Sequence, residues 1–245
     1  MSRRVTFATA ARVLLQLRHD RRTLALLWGV PIVLQALVKA VFWDQDPVFQ
    51  RLGAPLLGVF PMTSMFLVTS VAMLRERTSG TLERLLTMPM AKLDLLLGYA
   101  LAFGVLAAVQ ATLAAAVAFG LLGLESGGPA WGVVLLAVLN AVLGMAMGLF
   151  VSAFATTEFQ AVQFMPMFLL PQLLLCGLLA PRDQMVRGLE LFSAILPMTY
   201  AYDALVRVAN GDGLAGRLSL DIAVLAAMAF LSLALGAVTL RRRTP

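Results

Sequence analysis

Apolar residues run along this chain in six long stretches that short polar segments separate. A helix needs about 20 mostly apolar residues to cross the hydrocarbon core of a bilayer, and each stretch has that length. A run that is apolar on all sides presents no polar face to water, so it is typical of a helix in lipid. The pattern predicts transmembrane helices at residues 24–43, 53–74, 93–122, 131–155, 161–180 and 220–240.

Composition supports the same architecture. The chain has 60% hydrophobic and only 13% charged residues, whereas soluble domains have about 25% charged residues. We therefore predict an all-α, polytopic membrane protein with a single membrane domain over residues 1–245. About twenty residues containing six arginines precede the first apolar stretch, so we expect a retained first span and no cleavable signal peptide.

The basic residues indicate how the chain is oriented. Lysine and arginine are enriched in cytoplasmic segments, and thirteen of the 19 lie in the N-terminal segment, in residues 75–94 or in the C-terminal tail. Six alternating helices place all three segments on one side. This predicts a multi-pass protein of the cell inner (plasma) membrane with both termini cytoplasmic. Orientation and membrane lipid explain the net charge of +6 better than nucleic acid does, because the basic residues lie beside the spans.

Two further segments have the mixed polarity of helices at a membrane surface. Residues 5–20 place Phe7, Leu14 and Leu15 on one side, which predicts an interfacial helix, although a simple basic topology signal remains an alternative. Residues 181–218 are too polar to cross the bilayer and too apolar for a disordered loop. They predict an external re-entrant helical pair that breaks at Pro197, or alternatively a small cap outside the lipid.

The fourth predicted span contains a small-xxx-small pattern. Gly144 and Gly148 are four residues apart and lie on one face of a helix, where the lack of side chains permits a close approach of a second helix. We expect this approach to occur within the subunit. A dimer interface is the alternative.

Residues 75–94, which we call the island, are the most charge-dense segment between two apolar stretches. A charged cluster ends the second span, a glycine provides an N-cap or tight turn, and a proline stops the short helix that follows. An acidic residue in the first turn suits the positive helix end, and three leucines share one face. Such a helix can dock in a groove of a soluble partner, although a plain polar loop fits too. The residues concerned are Arg75, Glu76, Gly80, Thr81, Leu82, Glu83, Leu85, Leu86 and Pro89.

The sequence lacks the residues that several kinds of chemistry require. The chain has no G-x-x-x-x-G-K-[ST] loop to hold nucleotide phosphates, so we expect it to bind no cofactor itself. His19, the only histidine, lies outside the spans, which leaves no Ser-His dyad or His-rich metal site in the membrane, and the spans lack paired carboxylates. We therefore predict that the chain is not an enzyme. An ion-coupled secondary transporter remains an alternative, although only Lys39 approaches mid-membrane.

Two motifs resemble a known family. RERTSGTLERLLTMP at residues 75–89, followed by LLLG at 95–98, resembles the permease subunits of type-2 ATP-binding-cassette exporters, which include drug or antibiotic resistance and polysaccharide or lipid export branches. LPMTYAYDAL at residues 196–205, together with Pro171-Gln172, Gly177 and Pro181 before it, is similar to the fifth span and external region of that family. Three positions depart from the family pattern, namely Tyr99, Val186 and Arg207.

The resemblance implies a role for each polar segment. Residues 75–92 would be the coupling helix that meets a separate cytoplasmic cassette ATPase, which binds ATP and Mg. Residues 5–20 would be the connecting helix, with Arg12, Leu15 and Arg18. Pro181, Pro197, Tyr200 and Asp203 would belong to the external re-entrant region. Two permease copies, or this chain and a homologue, would form a dimer that exports a lipophilic drug, a lipid or a lipid-linked glycan.

Overall fold

The computed structural model describes residues 3–81, 92–212 and 217–239, and every α-helix or 3-10 helix in these ranges belongs to one helical bundle. No strand occurs in this part of the chain. Two 3-10 helices lie at Ser152–Phe154 and Arg182–Gln184. The α-helices are α1 (Arg3–His19), α2 (Arg21–Val41), α3 (Asp46–Thr78), α4 (Lys92–Gly120), α5 (Ala130–Val151), α6 (Glu158–Leu175), α7 (Arg187–Ser193), α8 (Pro197–Asn210) and α9 (Arg217–Thr239).

Five helices in the described residues are long and apolar enough to cross a membrane. They are α2, α3, α4 from Asp94 onward, α5 with its following 3-10 turn, and α9. The all-α membrane architecture predicted from the sequence is therefore confirmed.

The predicted span at 161–180 corresponds to α6, which has 18 residues and is not among these five helices. Glu158 and three glutamines reduce its apolar character. The helix ends at Leu175 because the chain turns at Gly177, whose φ of 103° lies in the region that favours glycine.

The small-xxx-small pattern of α5 lies against α3 of the same chain. A Cβ atom at Gly144 would lie 2.2 Å from the carbonyl oxygen of Met62, and one at Gly148 would lie 2.2 Å from Oγ1 of Thr69. These distances are below van der Waals contact, so only glycine permits the two helix backbones to approach so closely. The glycines thus permit close helix packing within the subunit, as predicted from the sequence.

Helix α1 packs against α4 through its small residues. Thr9, Ala10 and Val13 are buried, and a Cβ atom at Gly98 of α4 would lie 2.5 Å from the Cβ of Thr9. Phe7, exposed to 63%, and Leu15, exposed to 55%, take no part in this contact. Small side chains therefore allow the close approach of α1 to α4, and the interfacial position of α1 in the membrane stays a prediction.

The bundle has two ends that carry most of its polar contacts. We call the end that holds α1, the C-terminus of α3 and the first residue of α6 the island end. We call the opposite end, which holds residues 121–129 together with α7 and α8, the far end. At the far end, Gln50 of α3 donates to the carbonyl of Gly123 (2.9 Å) and accepts from the amide of Glu125 (2.8 Å), while the amide of Gly127 donates to Ala209 of α8 (2.6 Å).

Candidate functional site at the base of the island

Arg75, at the end of α3, forms a two-pronged ion pair with Glu158. Its Nε lies 2.8 Å from Oε1 of Glu158 and its Nη2 lies 3.0 Å from Oε2. Glu158 is the first residue of α6, after Thr157, whose side chain accepts from the amide of Gln160 as the N-cap. The hydrogen bond from Arg75 lowers the pKa of Glu158. The pair joins α3 to α6.

Glu76 and Tyr99 both contact Arg12 of α1. Nη2 of Arg12 donates to the hydroxyl of Tyr99 (2.6 Å) and lies 3.5 Å from Oε1 of Glu76. The guanidinium also lies 5.9 Å from the centroid of the Tyr99 ring, within cation–π distance. Tyr99 is fully buried and Glu76 is mostly buried, so these contacts satisfy polar groups that water reaches poorly. They join α1, α3 and α4.

Arg77 extends the same junction to α5, because its guanidinium donates to the carbonyl of Ser152 in the 3-10 turn after that helix. Three consecutive residues at the end of α3 thus contact α1, α6 and the end of α5, and Arg12 links Glu76 to Tyr99 of α4.

Of the remaining predicted island residues, the structure describes only Gly80 and Thr81. Gly80 has a φ of 71°, which fits the predicted tight turn, and the hydroxyls of Ser79 and Thr81 lie 2.9 Å apart. The other five residues lie outside the described residues, so the coupling helix remains a prediction there. They are Leu82, Glu83, Leu85, Leu86 and Pro89.

Of the three predicted connecting-helix residues, only Arg12 joins the junction. Leu15 and Arg18 are exposed and belong to other sides of α1. Tyr99 departs from the family pattern, so sequence reasoning left its role open, and no sequence signal pointed to its contact with Arg12. Gly98 gave the nearest clue, because a small residue marks a place where another element can approach.

An open cavity of about 690 Å³ lies beside the junction, between α1, α2, α3, α4 and α6. Its walls are mostly apolar and include Leu26, Val30 and Val68. Arg75 and Glu158 belong to its charged rim. A cavity with an apolar interior and an ionic rim suits an amphipathic molecule.

The external residues predicted from the resemblance separate into two groups. Pro181 and Asp203 line a second cavity, at the far end. Pro197 begins α8, and the hydroxyl of Tyr200 donates to the carbonyl of Ala194 (2.7 Å) just after α7, so these two residues hold the turn between the helices. Asp203 lies 3.3 Å from Nη1 of Arg182.

Lys39 lies in the last turn of α2. It forms an ion pair with Asp46, the first residue of α3, and lies over the ring of Phe49 at 4.8 Å from the centroid. Among the described residues, no three His, Cys, Asp or Glu side chains are grouped in a way that suits a metal ion.

A helical bundle with five candidate spans and a charged junction at one end defines an integral membrane protein. Residues 4–209 match the family described as ABC-2 type transporter, and the chain therefore belongs to that family. This confirms the resemblance to type-2 ATP-binding-cassette permeases that the two motifs had indicated.

Individual relatives agree with the family. The chain is 26% identical over 167 residues to the "Probable multidrug ABC transporter permease YbhR" of Escherichia coli strain K12, a match that covers 68% of this chain and 44% of the relative. It is 30% identical over 138 residues to "ABC transporter G family member 20" of Dictyostelium discoideum, which covers 56% of this chain and 19% of that protein. The chain thus spans less than half the length of the curated relatives it matches.

Proposed function

We propose that this chain is the membrane-spanning permease of an ATP-driven exporter and that a separate cytoplasmic cassette ATPase drives it. The observation that carries this proposal is the junction at the base of the island, where residues 75–77 contact three neighbouring elements and reach α4 through Arg12. Membership of the ABC-2 type transporter family supports it. ATP and Mg would bind the partner chain, and this chain would act as a transport component with no hydrolytic site of its own.

Motion would pass from the ATPase into the bundle through the island. A partner that grips residues 81–89 moves the end of α3, and the ion pairs of Arg12 and Arg75 carry that movement to α1 and α6. Ion pairs that join separate helices transmit a displacement only while both partners hold their geometry. The expected result is a shift between inward-open and outward-open arrangements of two permease copies, or of this chain and a homologue.

The proposed topology adds α6 to the five candidate spans. Six spans place α1, the island and the C-terminal tail on the cytoplasmic side of the inner membrane, and residues 181–218 outside. The basic residues support this orientation, because thirteen of the 19 then face the cytoplasm. In this arrangement α7 and α8 form the external re-entrant pair.

The cavity beside the junction supports an amphipathic substrate. Its apolar walls suit a lipophilic body, and its rim of Arg75, Glu158 and Asp20 suits a polar group. A lipophilic drug, a lipid or a lipid-linked glycan has this character. The printed name of the Escherichia coli relative includes "multidrug", which agrees with the first of these.

An ion-coupled secondary transporter is the alternative, and the position of Lys39 argues against it. Such transporters place ionisable groups near the bilayer midplane, whereas Lys39 pairs with Asp46 at a helix end. The two functions differ in their energy source. Transport that an ion gradient drives without ATP would contradict the exporter.

The test is reconstitution of the chain in liposomes with the cassette ATPase encoded next to it. We expect the two to copurify and ATP hydrolysis to rise with a drug, a lipid or a glycan. Replacing Leu85 and Leu86 with Asp should abolish copurification without preventing membrane insertion, because charge replaces the apolar docking face. Leu121→Asp, at an exposed position of the far end, is the matched control and should leave copurification intact. Unchanged copurification in the Leu85 and Leu86 variant would contradict the proposed docking site.

A further inference from the structure

We propose that the far-end cavity binds the anionic phosphate group of a phosphate ester, with the headgroup of an anionic membrane lipid as its first candidate. The cavity has a volume of about 370 Å³. Four arginines line it, drawn from α3, the 3-10 turn after α6, α8 and α9. They are Arg51, Arg182, Arg207 and Arg217.

Only two of these arginines have carboxylate partners among the described residues. Arg182 lies 3.3 Å from Asp203 and Arg207 lies 3.8 Å from the buried Asp221. Arg51 and Arg217 form no ion pair within the part of the chain that the structure describes. Burial raises the pKa of Asp203, although three arginines oppose this shift, so its negative charge is costly to keep in the cavity. Two aspartates, Asp183 and Asp203, line the cavity with the four arginines, and Asp221 lies beside Arg207, so the balance of charge remains positive.

The arginines suit a phosphate group in geometry as well as in charge. A guanidinium presents its N–H donors in a planar fork that matches the oxygens of a phosphate, and several forks around one cavity can share one anion. Nε of Arg207 is buried and forms no hydrogen bond among the described residues. A bound phosphate oxygen would supply an acceptor close to Nε of Arg207.

The position of the cavity favours a lipid headgroup as the source of that phosphate. Arg217 is the first residue of the candidate span α9, and Arg51 lies in the second turn of the candidate span α3. The ends of spans lie at the level of the lipid headgroups. Arg51 and Arg217 are both exposed, so a headgroup in the surrounding leaflet can reach them. This inference does not depend on the direction or energy source of transport.

The test compares two lipids that differ in net charge. The full chain is purified with equal amounts of phosphatidylglycerol and phosphatidylcholine of the same acyl chains, and native mass spectrometry counts the molecules retained. We expect selective retention of phosphatidylglycerol. The double variant Arg51→Gln and Arg217→Gln should reduce this selectivity about tenfold or more, because each charge-assisted hydrogen bond to an anion contributes strongly to binding. It removes none of the observed ion pairs, so the bundle should remain folded.

Arg187→Gln is the matched control. Arg187 is an exposed arginine at the same end that does not line the cavity, so its replacement should leave the selectivity unchanged. A parallel titration with inorganic phosphate identifies the source. Binding of inorganic phosphate that depends on Arg51 and Arg217, without selectivity for phosphatidylglycerol, would support the phosphate site and assign it to a soluble ligand. Equal retention of both lipids with no phosphate binding, or full selectivity in the double variant, would overturn the proposal.

Discussion

At the island end, the arginines that close α3 each hold a partner on another element, whereas at the far end four arginines surround an open cavity. Arg75 bonds to Glu158 of α6, and Arg77 bonds to the carbonyl of Ser152. At the far end, Arg51 and Arg217 have no ion-pair partner among the residues that the structure describes. The same side chain therefore serves two purposes. Where its charge is matched it connects helices, and where its charge is in excess it is available to a ligand.

The difference follows from how the helices meet. At the island end, three consecutive residues of one helix reach separate elements, so each contact couples a pair of helices. At the far end, side chains from four segments converge on one space, which concentrates positive charge. We expect substitutions at the island end to affect coupling to the ATPase and substitutions at the far end to affect anion binding.

The largest effect is expected from separating α3 from α5, because both the island end and the far end depend on α3. In Gly148→Val the new Cβ would lie 2.4 Å from the backbone carbonyl of Phe66, which cannot move aside as a flexible side chain can. We expect destabilisation of about 1–3 kcal/mol or more, measured by thermal unfolding in detergent, with loss of function at both ends. Gly104→Val is the control because Gly104 has open space around it. Equal stability of the two variants would show that the helices do not pack in this way.

The next largest effect should come from Arg12→Gln at the island end. The substitution removes the charged partner of Glu76 and the donor to the buried hydroxyl of Tyr99, so we expect destabilisation of about 1–2 kcal/mol. Coupling of ATP hydrolysis to transport should fall, while lipid selectivity at the far end should remain. Arg4→Gln, an exposed change on the same helix, should preserve coupling. Loss of lipid selectivity in Arg12→Gln would show that the ends are not independent.

Asp203→Asn should strengthen anion binding at the far end a few-fold. Because burial raises the pKa of Asp203 in the fold, its stabilising contribution is complete below the unfolded pKa and is lost as pH rises through the folded pKa. Neutral Asp203 leaves the charges of Arg182, Arg207 and Arg217 less opposed, although Asp183 lines the same cavity and Asp221 faces Arg207 and Arg217. Phosphatidylglycerol selectivity should therefore increase as pH falls.

The pH dependence provides its own check. In Asp203→Asn the selectivity should stay near its acidic value at every pH, because the titrating carboxyl is gone. Asp212→Asn, an exposed change at the same end outside the cavity, should keep the pH dependence of the unmodified chain. An identical pH profile in the Asp203 variant would assign the titration to another group.

The smallest effect on stability is expected from Glu158→Gln. Both side chains of the Arg75 pair are more than half exposed, at 57% and 54%, so water screens the interaction and unfolding should change by less than about 1 kcal/mol. Coupling between ATP hydrolysis and transport should nevertheless decrease, because the pair joins α3 to α6. The charge-reversed double variant Arg75→Glu and Glu158→Arg should recover part of that coupling. A double variant no better than either single change would contradict a direct role for the pair.

The sequence pattern predicted those features that depend only on residues close together in the chain. Five of the six apolar stretches correspond to candidate membrane helices, and the spacing of Gly144 and Gly148 predicted a close approach within the chain. For α1 the pattern predicted an apolar side but gave no sign of the contact with α4, which Thr9 and Ala10 make while Phe7 and Leu15 are exposed. A search for apolar faces favours large side chains, whereas close contact between membrane helices favours small ones.

The sequence by itself determined that this protein is a helical membrane protein of the ABC-2 type, because length, apolarity and contiguous motifs are properties of neighbouring residues. Only the tertiary structure decided which distant residues meet. Arg12 reaches Glu76 and Tyr99, and Arg51 comes to the same cavity as Arg217. Such contacts are set by how helices pack and by the direction of each side chain, and spacing along the chain carries little information about either.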